Sequence, residues 1–147
     1  MNALLNFLHL AAAIAWLGGV GFVVFALRPA AQQLPPPQRL PLMAAALGRF
    51  FALVWICIAV LLVTGLGMFM GAGMKNAPLG WHLMAGLGIV MFAIFGHLYF
   101  GPFRRMKAAV AAADWAEGGR RAGQVASLAL LNLALGTLAI AAVVLLA

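Results

Sequence analysis

The sequence predicts an all-α fold, an integral membrane four-helix bundle with both termini on the same, outer side. Three observations predict it. Hydrophobic residues make up 67% of the chain and charged residues 7%, and the mean hydropathy is +1.12, which leaves too little polar surface to cover a soluble globule. Apolar stretches of the length needed to cross a hydrocarbon core of about 30 Å recur four times. The basic residues gather in alternate connections.

The spans are expected at about residues 4–27, 50–70, 80–101 and 124–147 of one domain covering 1–147. The opening stretch MNALLNFLHLAAAIAWLGG has no positively charged leader and stays apolar too long for a signal core, so it is expected to be the first span. Arg28-Pro29 is expected to end it. The run Pro35-Pro36-Pro37 is expected to forbid helix before the second span, and Gly101-Pro102 to close the third. The connection AAVAAADWAEGGRRAG has room for a short helix lying along the membrane. Gly67 and Gly71 have the small-xxx-small spacing that lets backbones approach in lipid, which implies tight packing and leaves a homo-oligomer open.

Arg28, Arg39 and Arg49 fall in or beside the first connection and Arg104, Arg105, Lys107, Arg120 and Arg121 in the third, against Lys75 alone in the second. The positive-inside rule puts the first and third connections in the cytoplasm and both termini outside. The net charge of +7 therefore reports topology. The charges flank spans without interleaved aromatics, so no nucleic-acid partner is implied. The lipid bilayer is the first partner, and the basic rim suits anionic headgroups or the carboxylates of a ligand. Cys57 sits in an apolar run and reads as a packing residue.

The residues that do not belong in lipid carry the functional reading. His9 lies about 9 Å inside the first span, His82 near the outer end of the third, and His97 about 22 Å further along that helix. His82 and His97 therefore cannot share an ion, and the outer pair is His9 with His82. His82, Ala85, Gly86, Ile89, Ala93, Gly96 and His97 share a broad face whose small residues are expected to turn toward the bundle. Trp16 lies two turns below His9 on the same face.

Met68, Met70, Met74 and Met84 cluster at the outer ends of the second and third spans, with Met70 and Met74 expected one turn apart on one helix. Thioethers with imidazole suit Cu(I), and no carboxylate is near to favour Mg²⁺, Ca²⁺ or Mn²⁺. The same methionines could equally serve as flexible core filling. Asn132 is expected to bond between helices, and Thr64 and Thr137 to bond their own backbones. No Asp or Glu lies in a span, which removes the carboxylate relay of small proton-coupled drug exporters. No hydrolase constellation and no phosphate-cradling glycine loop is present in the sequence.

FLHLAAAIAWLGGVGF, with His9 and Trp16 seven apart and Gly18-Gly19 following, resembles the first helix of the copper resistance D (CopD) family of membrane proteins. GWHLMAGLGIVMFAIFGHLYFGPFRRM resembles the family's helix with a His near each end, followed by a basic loop. The resemblance covers nearly the whole chain in the short four-helix form. It implies copper uptake or homeostasis across a bacterial inner membrane, both termini on the periplasmic side, and His9 and His82 as the outward histidines. A periplasmic copper chaperone is the donor this setting implies.

The metal set is then His9, His82, Met70, Met74 and Met84, with His97 as a relay near the cytoplasmic exit. The helix pattern also resembles the HemJ-type membrane protoporphyrinogen oxidases. That resemblance implies haem b with His9 as axial ligand, His82 or a Met opposite, and Trp16 and the glycines shaping the porphyrin slot. His9, Trp16, His82 and His97 are the cofactor residues on that reading. The chain departs from the oxidase pattern in lacking the Pro-Arg stretch after the Trp and the Lys after the third-helix His. Two alternatives follow, a Cu(I)-handling protein and a haem redox protein, beside a third in which the bundle is purely structural.

Overall fold

A computed structural model describes residues 2–146. It is all-helical among these residues. Four helices are long and apolar enough to cross a membrane: α1 Ala3–Ala31, α2 Pro36–Ala72, α3 Leu79–Ala111 and α4 Trp115–Leu145. Leu5 lies against Gly67, and His9 against Gly65, so α1 and α2 run antiparallel. Gly80 at the start of α3 meets Ala142 at the end of α4, so that pair is antiparallel too. Both termini therefore lie at one end of the bundle, opposite the basic connections.

The backbones come closest within two pairs, α1 on α2 and α3 on α4. Gly80 makes the second pair possible, since a Cβ there would collide with the carbonyl oxygen of Ala142. Large rings fill the wider gap between the pairs. Trp16 of α1 stacks on Phe92 of α3 with ring centroids 5.9 Å apart, and meets Phe95 edge-on at 6.1 Å. Phe51 and Trp55 of α2 reach the same Phe95 at 5.3 and 4.9 Å. Such pairs are worth roughly 0.5–1.5 kcal/mol each beyond the area they bury. Where lipid removes the hydrophobic drive between helices, this packing holds the two pairs together.

Asn132 and Thr137 make the bonds expected of them, although the buried Asn132 Oδ1 has no partner among the described residues. Asn132 Nδ2 donates to the Met91 carbonyl across the α3–α4 contact at 3.1 Å, the interhelical bond expected of it. Thr137 donates to Leu133 O at 2.9 Å. Cys57 is buried in the core, as its apolar run implies.

Several expected boundaries are corrected. Helix α1 continues past Arg28-Pro29 to Ala31 because a π turn over Val23–Leu27 precedes the proline, with the Arg28 N–H reaching Val23 O. Gly101-Pro102 likewise fails to end α3. A second π turn at Tyr99–Phe103 contains it and the helix runs on to Ala111. In both places the wider turn absorbs the missing proline N–H and its ring.

The proline run starts α2 rather than forbidding it: Pro35 is the N-cap and Pro36 the first helical residue, where an N–H has no intrahelical partner anyway. Between α3 and α4 there is only a tight turn. Ala113 at φ 54° leads into Asp114, whose carboxylate caps α4 through the Glu117 N–H at 3.2 Å. The stretch expected to hold a short helix along the membrane is instead divided between the end of α3 and the start of α4. At 37 residues α2 is about 55 Å long, so it projects well beyond a hydrocarbon core of about 30 Å.

The face of α3 expected to turn inward turns outward. Ile89 is 64% exposed, and side chains added at Gly86 and Gly96 would meet nothing. The buried positions are Gly80, Met91, Phe95 and Leu98. The gap to α1 and α2 is too wide for glycine and alanine to fill, so bulky residues face it and small ones face outward.

Gly80→Ala should lower the thermal unfolding midpoint in detergent, a loss of about 1–3 kcal/mol from the clash with backbone. Gly86→Ala should leave it unchanged or slightly raised. Equal responses of the two variants would contradict the close α3–α4 approach.

Candidate functional site

The polar feature deepest in the end of the bundle that carries the termini is a hydrogen-bonded chain linking α1 to α2. His9 Nδ1 lies 2.8 Å from Thr64 Oγ1, and Thr64 Oγ1 lies 2.6 Å from the carbonyl oxygen of Val60. A threonine hydroxyl has one proton to give. The short contact to Val60 O, an acceptor only, requires that proton, so Thr64 accepts from His9 and Nδ1 carries the imidazole hydrogen. Nε2 of neutral His9 is then the nitrogen with the free lone pair. Thr64 is buried to 2% exposure, which fixes the acceptor, while His9 itself is half-buried.

Local sequence explains why the ring fits there. His9 Cε1 would lie 3.5 Å from a side chain added at Gly65, so the imidazole packs closely on α2 beside Thr64. Met68 follows Thr64 by one turn on α2 and is buried as well. Thr64 and Met68 thus present a hydroxyl and a thioether on the α1-facing side.

The other expected residues lie elsewhere. His82, in the first turn of α3, is exposed, and its ring packs on Phe69 with centroids 5.5 Å apart. Thr64 and Phe69 are five residues apart on α2, about 7.5 Å along the axis and roughly 140° around it. His9 and His82 therefore approach α2 on different sides. Met70 and Met74 are 75% and 67% exposed, and Met84 is half-buried. The expected i,i+4 pairing of Met70 and Met74 on one helix is corrected: α2 ends at Ala72, Gly73 has φ +80°, and Met74 lies in the connecting turn. His82, Met70, Met74 and Met84 thus all surround the α2–α3 connection. Among the described residues, no three His, Cys, Asp or Glu side chains form a group able to hold a metal ion.

Trp16 is buried among rings, its face on Phe92 and its edge toward Phe95. The space beside Gly19 is filled by the ring of Phe50. That packing leaves no porphyrin slot between Trp16 and Gly19, while side chains added at Gly18 and Gly21 would meet nothing. His97 lies at the basic end, exposed.

A family model described as copper resistance protein D matches residues 44–146, well over half of the chain. The protein belongs to this family. Membership makes it a multi-pass membrane protein related to copper resistance, and the matched segment takes in most of α2 with all of α3 and α4. His9 and Trp16 precede that segment. No curated protein and no solved structure matches the chain.

Thr64→Val removes the acceptor and leaves the Nδ1–H of His9 unpaired, so the unfolding midpoint in detergent should fall, by about 1–3 kcal/mol in stability. Thr64→Ser should keep most of it. If valine and serine are tolerated equally, the His9–Thr64 bond contributes nothing.

Proposed function

We propose that the protein handles Cu(I) in the bacterial inner membrane, taking the ion from the periplasmic side, where both termini lie, and assisting its uptake or delivery. The observation that carries the reading is the Thr64–His9 bond. A ligating histidine commonly gives its second ring N–H to a neighbouring acceptor, which fixes the tautomer and aims the other nitrogen. Thr64 supplies that acceptor in a span without any carboxylate.

Met70, Met74, Met84 and His82 act first on this reading. Thioethers and an imidazole exposed around the α2–α3 connection suit capture of a soft ion from a periplasmic copper chaperone. His9 Nε2 then holds the ion below the interface, with the buried Met68 as the soft donor on the same side of α2. Copper is cargo here, and weak sites with few ligands suit exchange from donor to donor. His97 serves as a later station near the cytoplasmic exit. The distribution of Arg and Lys supports this orientation. A haem reading based on His9 would need room that Trp16, Phe92 and Phe50 already fill.

The test is a Cu(I) titration of purified protein against a competing chelator under reducing conditions, with metal analysis and an absorption spectrum. His9→Ala should abolish retention, and Thr64→Val should weaken it about 10–100-fold. Joint replacement of Met70 and Met74 should slow loading and leave final occupancy largely intact. Unaltered binding by His9→Ala would overturn the assignment, and a sharp Soret band in the as-purified protein would replace copper by haem.

A further inference from the structure

The basic end carries a cavity of about 750 Å³ between α1, α3 and α4. Arg28 of α1, Arg105 of α3, and Arg120 and Arg121 of α4 converge on it, together with His97. Topology alone explains why arginines flank spans. It does not explain why four of them, from three helices, surround one hollow.

The hollow is built by departures from regular packing. The π turn at Val23–Leu27 immediately precedes Arg28, and the π turn at Tyr99–Phe103 contributes Gly101 and Pro102 to the lining. Such turns in α-helices are frequent at functional sites. Two glycines lie directly against the polar groups. A side chain at Gly123 would lie 3.7 Å from Arg28 Nη2, and one at Gly101 would lie 3.7 Å from His97 Cε1.

The charge is nearly uncompensated. Glu117 pairs with Arg120 at 2.8 Å and with Arg121 at 2.7 Å, while Arg28 and Arg105 have no carboxylate partner among the described residues. Glu117 also orders its partners. Arg121 gives Nε to Glu117 and Nη1 to Gln124 at 2.9 Å, leaving Nη2 without a protein partner among the described residues. Gln124 and Ser127 add neutral polar groups to the wall.

We propose that this cavity binds a phosphate-bearing anion, carried by the headgroup of an anionic phospholipid. Guanidinium groups match phosphate oxygens in a planar, bidentate fashion, and convergent arginines are the usual phosphate receptor. The volume exceeds what a bare ion needs and admits a headgroup. Arg28 follows directly on the apolar run of α1, which puts the cavity at interface depth. Free inorganic phosphate shares the recognition chemistry and is the second source to test. The site is independent of His9 and of copper.

The experiment uses the full chain, delipidated in a neutral detergent, with thermal unfolding followed during titration by short-chain phosphatidylglycerol, phosphatidylcholine or inorganic phosphate. Phosphatidylglycerol should raise the midpoint at concentrations where phosphatidylcholine does not. The double variant Arg28→Gln/Arg105→Gln should bind on the order of tenfold more weakly or worse. Arg49→Gln/Arg104→Gln removes the same charge outside the cavity and should bind as the parent does. If the cavity double variant fails to fold, Arg105→Gln alone, at an exposed position, replaces it in the comparison. A shift by inorganic phosphate with the same arginine dependence supports the phosphate site and moves the source to the free ion. No shift by either phosphate source, or equal weakening by the cavity and control variants, overturns the proposal.

Discussion

The single proton of the Thr64 hydroxyl is the constraint on which the reading of this membrane protein depends. Given to the Val60 carbonyl within its own helix, it obliges Thr64 Oγ1 to accept from His9 across the α1–α2 contact. One intrahelical bond of a common kind thereby sets the tautomer of an imidazole on another helix. In a solvent without water to complete hydrogen bonds, that arrangement both satisfies His9 and leaves it one free lone pair. A carboxylate partner would fix the ring as well but would add a charge to the span.

Two styles of packing hold the bundle around that bond. In the α3–α4 pair glycine lets backbones touch, at Gly80 against Ala142, while in the α1–α2 pair Gly65 and Gly67 meet the His9 and Leu5 side chains. Between pairs, a layer of rings around Phe95 spans the wider gap. The larger aromatic layer lies toward the basic half, and the half carrying the termini is closed by Phe69 against Trp81 and His82 and by contacts such as Leu5 on Gly67. The histidine and the thioethers fall in this second half.

The four spans were legible because composition and length decide them, and the Asn132 amide nitrogen and the Thr137 hydroxyl found the backbone carbonyls expected of them. The ends of the helices were less legible. Pro29 and Pro102 read as stops, yet a π turn ahead of the first and around the second lets the helix pass, and nothing in the sequence marks that option apart from the apolar residues continuing around them. Pro36 reads as a breaker but occupies the first helical position, where an N–H has no intrahelical partner. The outward turn of Gly86 and Gly96 was hidden for a different reason. Small residues signal close approach only where another helix is near, and the separation of α3 from α1 is a property of the assembled bundle.

The position of His9 could be read as anomalous from its depth alone, but its partner could not, because Thr64 lies 55 residues away and looked self-satisfied. Gly65 was the available hint, a residue without a side chain next to a hydroxyl. The most direct test of the account is ¹⁵N NMR of histidine-labelled protein in detergent, with the His9 signals assigned by comparison with His9→Ala. The account predicts a neutral ring protonated at Nδ1, with the unprotonated Nε2 resonance shifting when Cu(I) is added. A ring protonated at Nε2, or one whose nitrogen shifts ignore Cu(I), would contradict it.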